Sequence, residues 1–150
     1  MLVLVATFLL LSSAFHAGDS IPRRFTCDGQ GSAPPLAWTA RPKRTRSFAL
    51  RVYDPDARGF THWLAWGIPA SARSLPAGAR PPQEGTNDFG RRGWGAPCPP
   101  RGTRHHYAFV LYALARPLRL SPGARAPAFA AALHKAGVLK RAALVGTYAR

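Results

Sequence analysis

Proline and glycine punctuate this chain almost from end to end. Proline removes a backbone N–H and fixes φ, and glycine loosens the backbone, so neither sits well inside a long helix. With 15 prolines and 14 glycines spread through 150 residues, few segments can carry one. Short strands joined by turns fit between these breaks. Hydrophobic residues make up 47% of the chain, enough for a globular core rather than disorder. The length suits one domain, residues 1–150, that folds without staples.

The stretch around which the rest arranges itself is Ala96-Pro97-Cys98-Pro99-Pro100-Arg101-Gly102-Thr103-Arg104-His105-His106-Tyr107-Ala108-Phe109-Val110-Leu111-Tyr112. Its prolines predict a stiff loop, and from His105 the aromatic and β-branched residues predict a strand. Alternation puts His105, Tyr107, Phe109 and Leu111 on one side and His106, Ala108, Val110 and Tyr112 on the other. A rigid rim thus feeds a strand that opens with an imidazole and a phenol on one face.

Two more strands read clearly. Over Ser47 to Asp54, Phe48, Leu50, Val52 and Asp54 share a face, and Pro55 stops the ladder. Over Thr61 to Ile68, His62, Leu64, Trp66 and Ile68 fall on one side and Trp63, Ala65 and Gly67 on the other. Leu118 to Ser121 reads as the end of a strand region, and Ala142 to Tyr148 as a final strand. Residues 70–95 read as a long irregular excursion. The single helix expected runs from Pro127 to Gly137, with proline in its first turn and glycine just past its end.

The apolar run over residues 1–11 is too short to span a bilayer. Ser12-Ser13-Ala14 could serve as a cleavage site, but no Lys or Arg precedes the run, as a secretory signal would want. A first strand buried in the sheet is the preferred reading, and a cytoplasmic location goes with it. A periplasmic or secreted protein is the alternative. Cys27 and Cys98 form no CxxC and leave pairing and free thiols equally open. The formal charge of +15 draws phosphates, nucleic acid and anionic membranes. Yet the arginines are scattered and match no nucleic-acid-binding motif.

Three strands therefore start or end with a polar group on an apolar face: Asp54, His62, and His105 with Tyr107. Brought together, imidazoles and a phenol donate to phosphate oxygens, and the carboxylate orients a histidine. These same residues carry a family resemblance. Asp54-Pro55-Asp56-Ala57, His62-Trp63 with Ile68-Pro69, and Pro97-Cys98-Pro99-Pro100 with Gly102, His105, His106 and Tyr107 resemble the signature regions of the phosphatidylethanolamine-binding protein family, in its bacterial Raf-kinase-inhibitor-like branch. Phe25-Thr26-Cys27-Asp28-Gly29, Pro34-Pro35-Leu36-Ala37-Trp38, Asn87-Asp88-Phe89-Gly90 and Gly146-Thr147-Tyr148 extend the likeness. Three positions depart from it. Ala96 stands where glycine is usual, Arg58 where a proline commonly follows the Asp-Pro-Asp-Ala run, and Gly67 in place of a common asparagine.

The resemblance implies a mainly β, antiparallel sandwich-like fold with one short helix and a small anion pocket at one end. By motif position its lining is Asp54, His62, Pro99, Pro100, His105 and Tyr107. It also implies that Ser12 to Phe15 matches the family's opening strand. The expected function is binding of phosphate or a phospholipid head group, with no metal or cofactor implied. A protein partner, through modulation of kinases or proteases, enters by family analogy only. No specific nucleic acid is expected, and a homodimer is left open. Two alternatives stand beside this reading: a phosphoester-processing enzyme using Asp54, His62 and His105, and a basic surface binder of nucleic acid or membrane.

Overall fold

The computed structural model describes all 150 residues. Eight strands form two antiparallel sheets. The smaller holds β1 (Leu10–Leu11), β2 (Leu36–Trp38) and β5 (Ser74–Leu75), in the order β1-β2-β5. The larger holds β3 (Ser47–Asp54), β4 (Phe60–Pro69), β6 (Gln83–Glu84), β7 (Arg104–Leu114) and β8 (Val138–Ala149), in the order β6-β4-β3-β7-β8. One helix, α1 (Ala126–Ala136), lies between β7 and β8 in sequence.

The larger sheet is covered on both faces, so its central strands are buried on both. Phe48, Leu50 and Val52 of β3 join Phe109 and Leu111 of β7 and Leu36 and Trp38 of β2 in the core between the sheets. Ala49 of β3, with Val110 and Tyr112 of β7, packs instead with Phe129 and Leu133 of α1. The expected alternation of β3 and β7 thus holds residue by residue.

That of β4 does not, because two bulges interrupt it. Between Phe48↔Ile68 and Leu50↔Ala65 an extra residue enters β4. Gly67 sits there at φ +69°, a left-handed conformation that glycine adopts freely and asparagine tolerates. The bulge returns Ile68 to the face of Trp63 and Ala65 in the inter-sheet core, while Leu64 and Trp66 face α1. A second shift, between Val52↔Trp63 and Tyr53↔Thr61, makes His62 the extra residue. So His62, Leu64, Trp66 and Ile68 do not share one face.

Three further expectations are corrected. The first apolar run is not a buried strand. Met1 to Val5 are exposed, only Phe8 and Leu10 are buried within the run, and the strand is Leu10–Leu11. Its partner β2 is three residues long, between Pro34-Pro35 and Ala40 at φ +51°, so it offers only two pairings. Ser12 to Phe15 lie outside the strands, with Phe15 buried against Phe109 at 5.8 Å between centroids. Leu118 to Ser121 is not strand either. β7 ends at Leu114, and the chain between Pro117 and Pro122 leaves the sheet, with Leu118 buried beside α1.

The excursion over 70–95 carries the two short strands β5 and β6 and is otherwise irregular. Asn87, fully buried, ties it down. Its side chain accepts from the N–H groups of Phe89 and Arg91 and donates to Gly93 O at 2.9 Å.

Candidate functional site

The end of the larger sheet where β3 stops, β4 begins and β7 begins gathers four of the expected residues. Asp54 is the last residue of β3 and only 3% exposed. A buried carboxylate needs donors, and the turn after it provides them. Pro55–Ala57 forms a single 3-10 turn whose Asp56 and Ala57 N–H groups donate to Asp54 Oδ1 at 2.8 and 3.1 Å. Arg58 closes that turn at φ +55°, a value proline cannot take. A proline at position 58 could not close this turn as Arg58 does. The other oxygen, Oδ2, accepts from His105 Nδ1 at 2.6 Å. Asp54 thus caps the turn with one oxygen and orients an imidazole with the other.

Tyr107 follows two residues along the same face of β7. It is 1% exposed, and its hydroxyl has no partner in the protein, yet it is not sealed from solvent. Burial, with Asp54 and then Asp56 nearby, pushes its pKa well above the usual phenol value, so Tyr107 keeps its proton and can donate it. His62 meets the Tyr107 ring edge-on at 5.2 Å between centroids, with Phe60 and Phe89 on its other sides at 5.1 and 5.4 Å. His62 Nδ1 lies 2.8 Å from Gly95 O, and Gly95 N donates to His62 O at 2.8 Å. A side chain at Gly95 would run into the Phe89 ring, 2.5 Å from where its Cβ would stand. Burial drives the His62 pKa below its ordinary 6.5, against the pull of Asp54 and Asp88.

The rim follows. Pro99 is buried and Pro100 exposed. Pro100 O accepts from the Thr103 hydroxyl at 2.6 Å and from Thr103 N at 3.1 Å, while Gly102 N donates to Arg150 O at 2.7 Å. Neither proline side chain offers a polar group. Ala96 has no positive φ, so the departure there costs no backbone strain. Cys27 and Cys98 are joined in a disulfide with Cα atoms 5.4 Å apart. Cys27 N also donates to Pro97 O at 3.1 Å, tying a second loop to the rim. Both sulfurs are committed to that bond, so Cys98 offers no thiolate nucleophile.

One neighbour carried no sequence signal of its own. The partner of His62 is the backbone carbonyl of Gly95, which no side chain announces, although only glycine leaves room for Phe89 there. Asp28 accepts from Tyr148 Oη at 2.6 Å and from Arg150 Nη2 at 3.1 Å. These bonds hold the Asp28 carboxyl below the usual range and fix the end of β8 beside the rim. His106 points to the other face and pairs with Asp56 at 2.8 Å, leaving the cluster. The main depressions of the surface, one of about 610 Å³ between Trp38–Arg41 and Ala70–Arg73, are lined by none of Asp54, His62, His105 and Tyr107.

Residues 11–149 match the family model described as phosphatidylethanolamine-binding protein. The chain belongs to the phosphatidylethanolamine-binding protein family. A UPF0098 protein of Methanothermobacter thermautotrophicus is 41% identical over 94% of this chain and 98% of its own length. The UPF0098 protein YbcL of Escherichia coli is 38% identical over 73% of this chain and 69% of its own length. The crystal structure of that YbcL, described as a member of the mammalian family, superposes with a TM-score of 0.87 at 31% identity, covering 97% of this chain and 99% of the other. A solved homologue of the family from Chlamydia trachomatis gives 0.89 at 32% identity, over 95% and 97%. Family membership carries the mainly β, two-sheet fold with its single short helix, and a binding-protein role in general terms.

Proposed function

We propose that this protein binds a small phosphate-type anion, free or as a phosphorylated head group, at the cluster of Asp54, His62, His105 and Tyr107, walled by Pro99 and Pro100. The observation that carries the reading is the state of three polar atoms. His105 Nε2, His62 Nε2 and Tyr107 Oη make no hydrogen bond within the protein and are not fully sealed from solvent. The inner atoms of both imidazoles are already held, by Asp54 and by Gly95 O. Such pre-set groups beside a rigid wall bind at little reorganisation cost. Modulation of a kinase or protease would be a use of the same bound state and rests on family analogy alone. A disulfide between two exposed cysteines favours an oxidising compartment over the cytoplasm. A candidate lipoprotein of Mycobacterium tuberculosis, LppC, is among the relatives, at 41% identity over 93% of this chain and 71% of its own length. No helix of the structure is long and apolar enough to cross a membrane.

Titration with inorganic phosphate, followed by the histidine ring signals in NMR, tests the site. His62 and His105 are expected to shift at concentrations that leave His16 and His134, both exposed, unmoved. The apparent affinity should change little between 50 and 200 mM salt, because few ionic contacts form. A surface polyanion site would lose ~10³-fold or more over the same range. Uniform shifts of all five histidines with a steep salt dependence would replace this reading by the basic-surface one.

A further inference from the structure

Resting on that reading, we infer that His62 is a hydrogen-bond acceptor at this site and selects an anion that still carries a proton. The fitting ligand is inorganic phosphate or a phosphomonoester bearing a P–OH. Sulfate and phosphodiesters, which have no such hydrogen, fit poorly.

Gly95 sets the tautomer of His62. A carbonyl oxygen only accepts, so at 2.8 Å from Gly95 O the His62 Nδ1 must carry the hydrogen. The contact cannot relax easily. Gly95 N is bonded back to His62 O, and the ring is wedged among Phe60, Phe89 and Tyr107. With Nδ1 protonated, the neutral ring has a bare lone pair at Nε2, and only a second proton would turn that atom into a donor. The charged and titratable groups around the ring are Asp54 at the end of β3, Asp88 in the loop before Gly95, and His105 with Tyr107 on β7. The two carboxylates favour the second proton and His105 opposes it. Burial of a side chain only 3% exposed outweighs the carboxylates, and His62 stays neutral at neutral pH.

The open atoms therefore differ in kind. Tyr107 donates its O–H, and His105 donates from Nε2 whenever its ring is doubly protonated. His62 Nε2 accepts. A fully deprotonated tetrahedral anion would set its own lone pairs against that nitrogen. A ligand that carries a hydrogen donates it to His62 Nε2 while its other oxygens accept from Tyr107, and from His105 where that ring is doubly protonated. Buried polar groups left unpaired are what makes such sites discriminate.

Phosphate and sulfate are nearly the same size and differ near neutral pH in that only phosphate keeps a hydrogen, so the wild-type protein serves as its own test. Inorganic phosphate is expected to bind about tenfold or more tightly than sulfate at matched ionic strength. Methyl phosphate should tighten as pH falls through its second pKa, near about 6, and dimethyl phosphate should bind weakly throughout. A long-range proton–nitrogen NMR correlation on the phosphate complex should show His62 protonated at Nδ1 and bare at Nε2. Equal affinity for phosphate and sulfate, or a proton found on Nε2 in the complex, would overturn this inference and leave the anion site standing. Tight dimethyl phosphate binding would also overturn it, pointing to a diester head group as ligand. Failure of all four anions to shift His62 and His105 would remove the proposed function and this inference together.

Discussion

Asp54 and His62 are each 3% exposed, and their burial is tolerated for different reasons. Asp54 is ringed by donors, two backbone N–H groups and the His105 ring. His62 has a single bond through Nδ1 and stays neutral. That difference has a sign. The folded protein holds the His62 pKa below 6.5, so near that pH the unfolded chain binds more protons and stability rises with pH. The His62 contribution is level above about pH 6.5 and is lost as pH falls toward the folded value. Asp28 and Asp56, lowered from 3.8, act in a separate window below about pH 4. Urea unfolding of the wild type and of His62→Gln between pH 5 and 8 measures this. The wild type should lose stability toward pH 5, and the variant should have a flatter profile. Parallel profiles would mean that His62 titrates normally when folded. Asp54, His105 and Tyr107 were legible from strand faces, whereas His62 was placed with them only by the family resemblance, since a bulge breaks the alternation of β4. Which nitrogen of His62 faces outward was not legible, because that depends on a carbonyl oxygen with no side-chain identity.

At the level of elements, legibility followed regularity. β3 and β7 alternate without interruption and were readable residue by residue, and α1 announced itself by Pro127 and Gly137. β4 failed the same reading because a bulge shifts every later side chain to the opposite face. Gly67 marked one bulge, while nothing in the composition around His62 marked the other. The N-terminal run misled because its hydrophobicity says nothing about how much partner strand is available. α1 covers the face of the larger sheet away from the inter-sheet core. Its Leu133, 8% exposed, packs in the same cluster as Tyr112 and Leu114 of β7. Leu133→Ala should cost roughly 2–5 kcal/mol by equilibrium unfolding, and phosphate binding by the surviving folded protein should be unchanged, since α1 contributes nothing to the anion site. A loss within error would mean that α1 is not stably docked. Loss of phosphate binding would tie the two ends of the sheet together.

For the molecule as a whole, charge and cross-link oppose each other. Only Asp28 pairs with an arginine, Arg150, and two of the other carboxylates bond to histidines. Most of the +15 formal charge therefore repels itself in the compact state. The Cys27–Cys98 bond spans 71 residues, and closing a loop of that length in the unfolded chain stabilises the fold by about 4 kcal/mol. The bond does not hold the rim alone. Gly102 N to Arg150 O, Arg150 N to Thr103 O and Cys27 N to Pro97 O remain when it is cut. The Cys27→Ser/Cys98→Ser double variant should thus lose about 4 kcal/mol and unfold with a steeper denaturant slope, because its unfolded chain expands further. Its phosphate affinity should stay within about threefold, well under the 1.4 kcal/mol that a tenfold change represents. Moderate salt should restore part of the stability by screening the self-repulsion. If instead stability hardly changes and phosphate binding collapses, the disulfide acts on the folded rim rather than on the unfolded chain, and reduction would switch the site off.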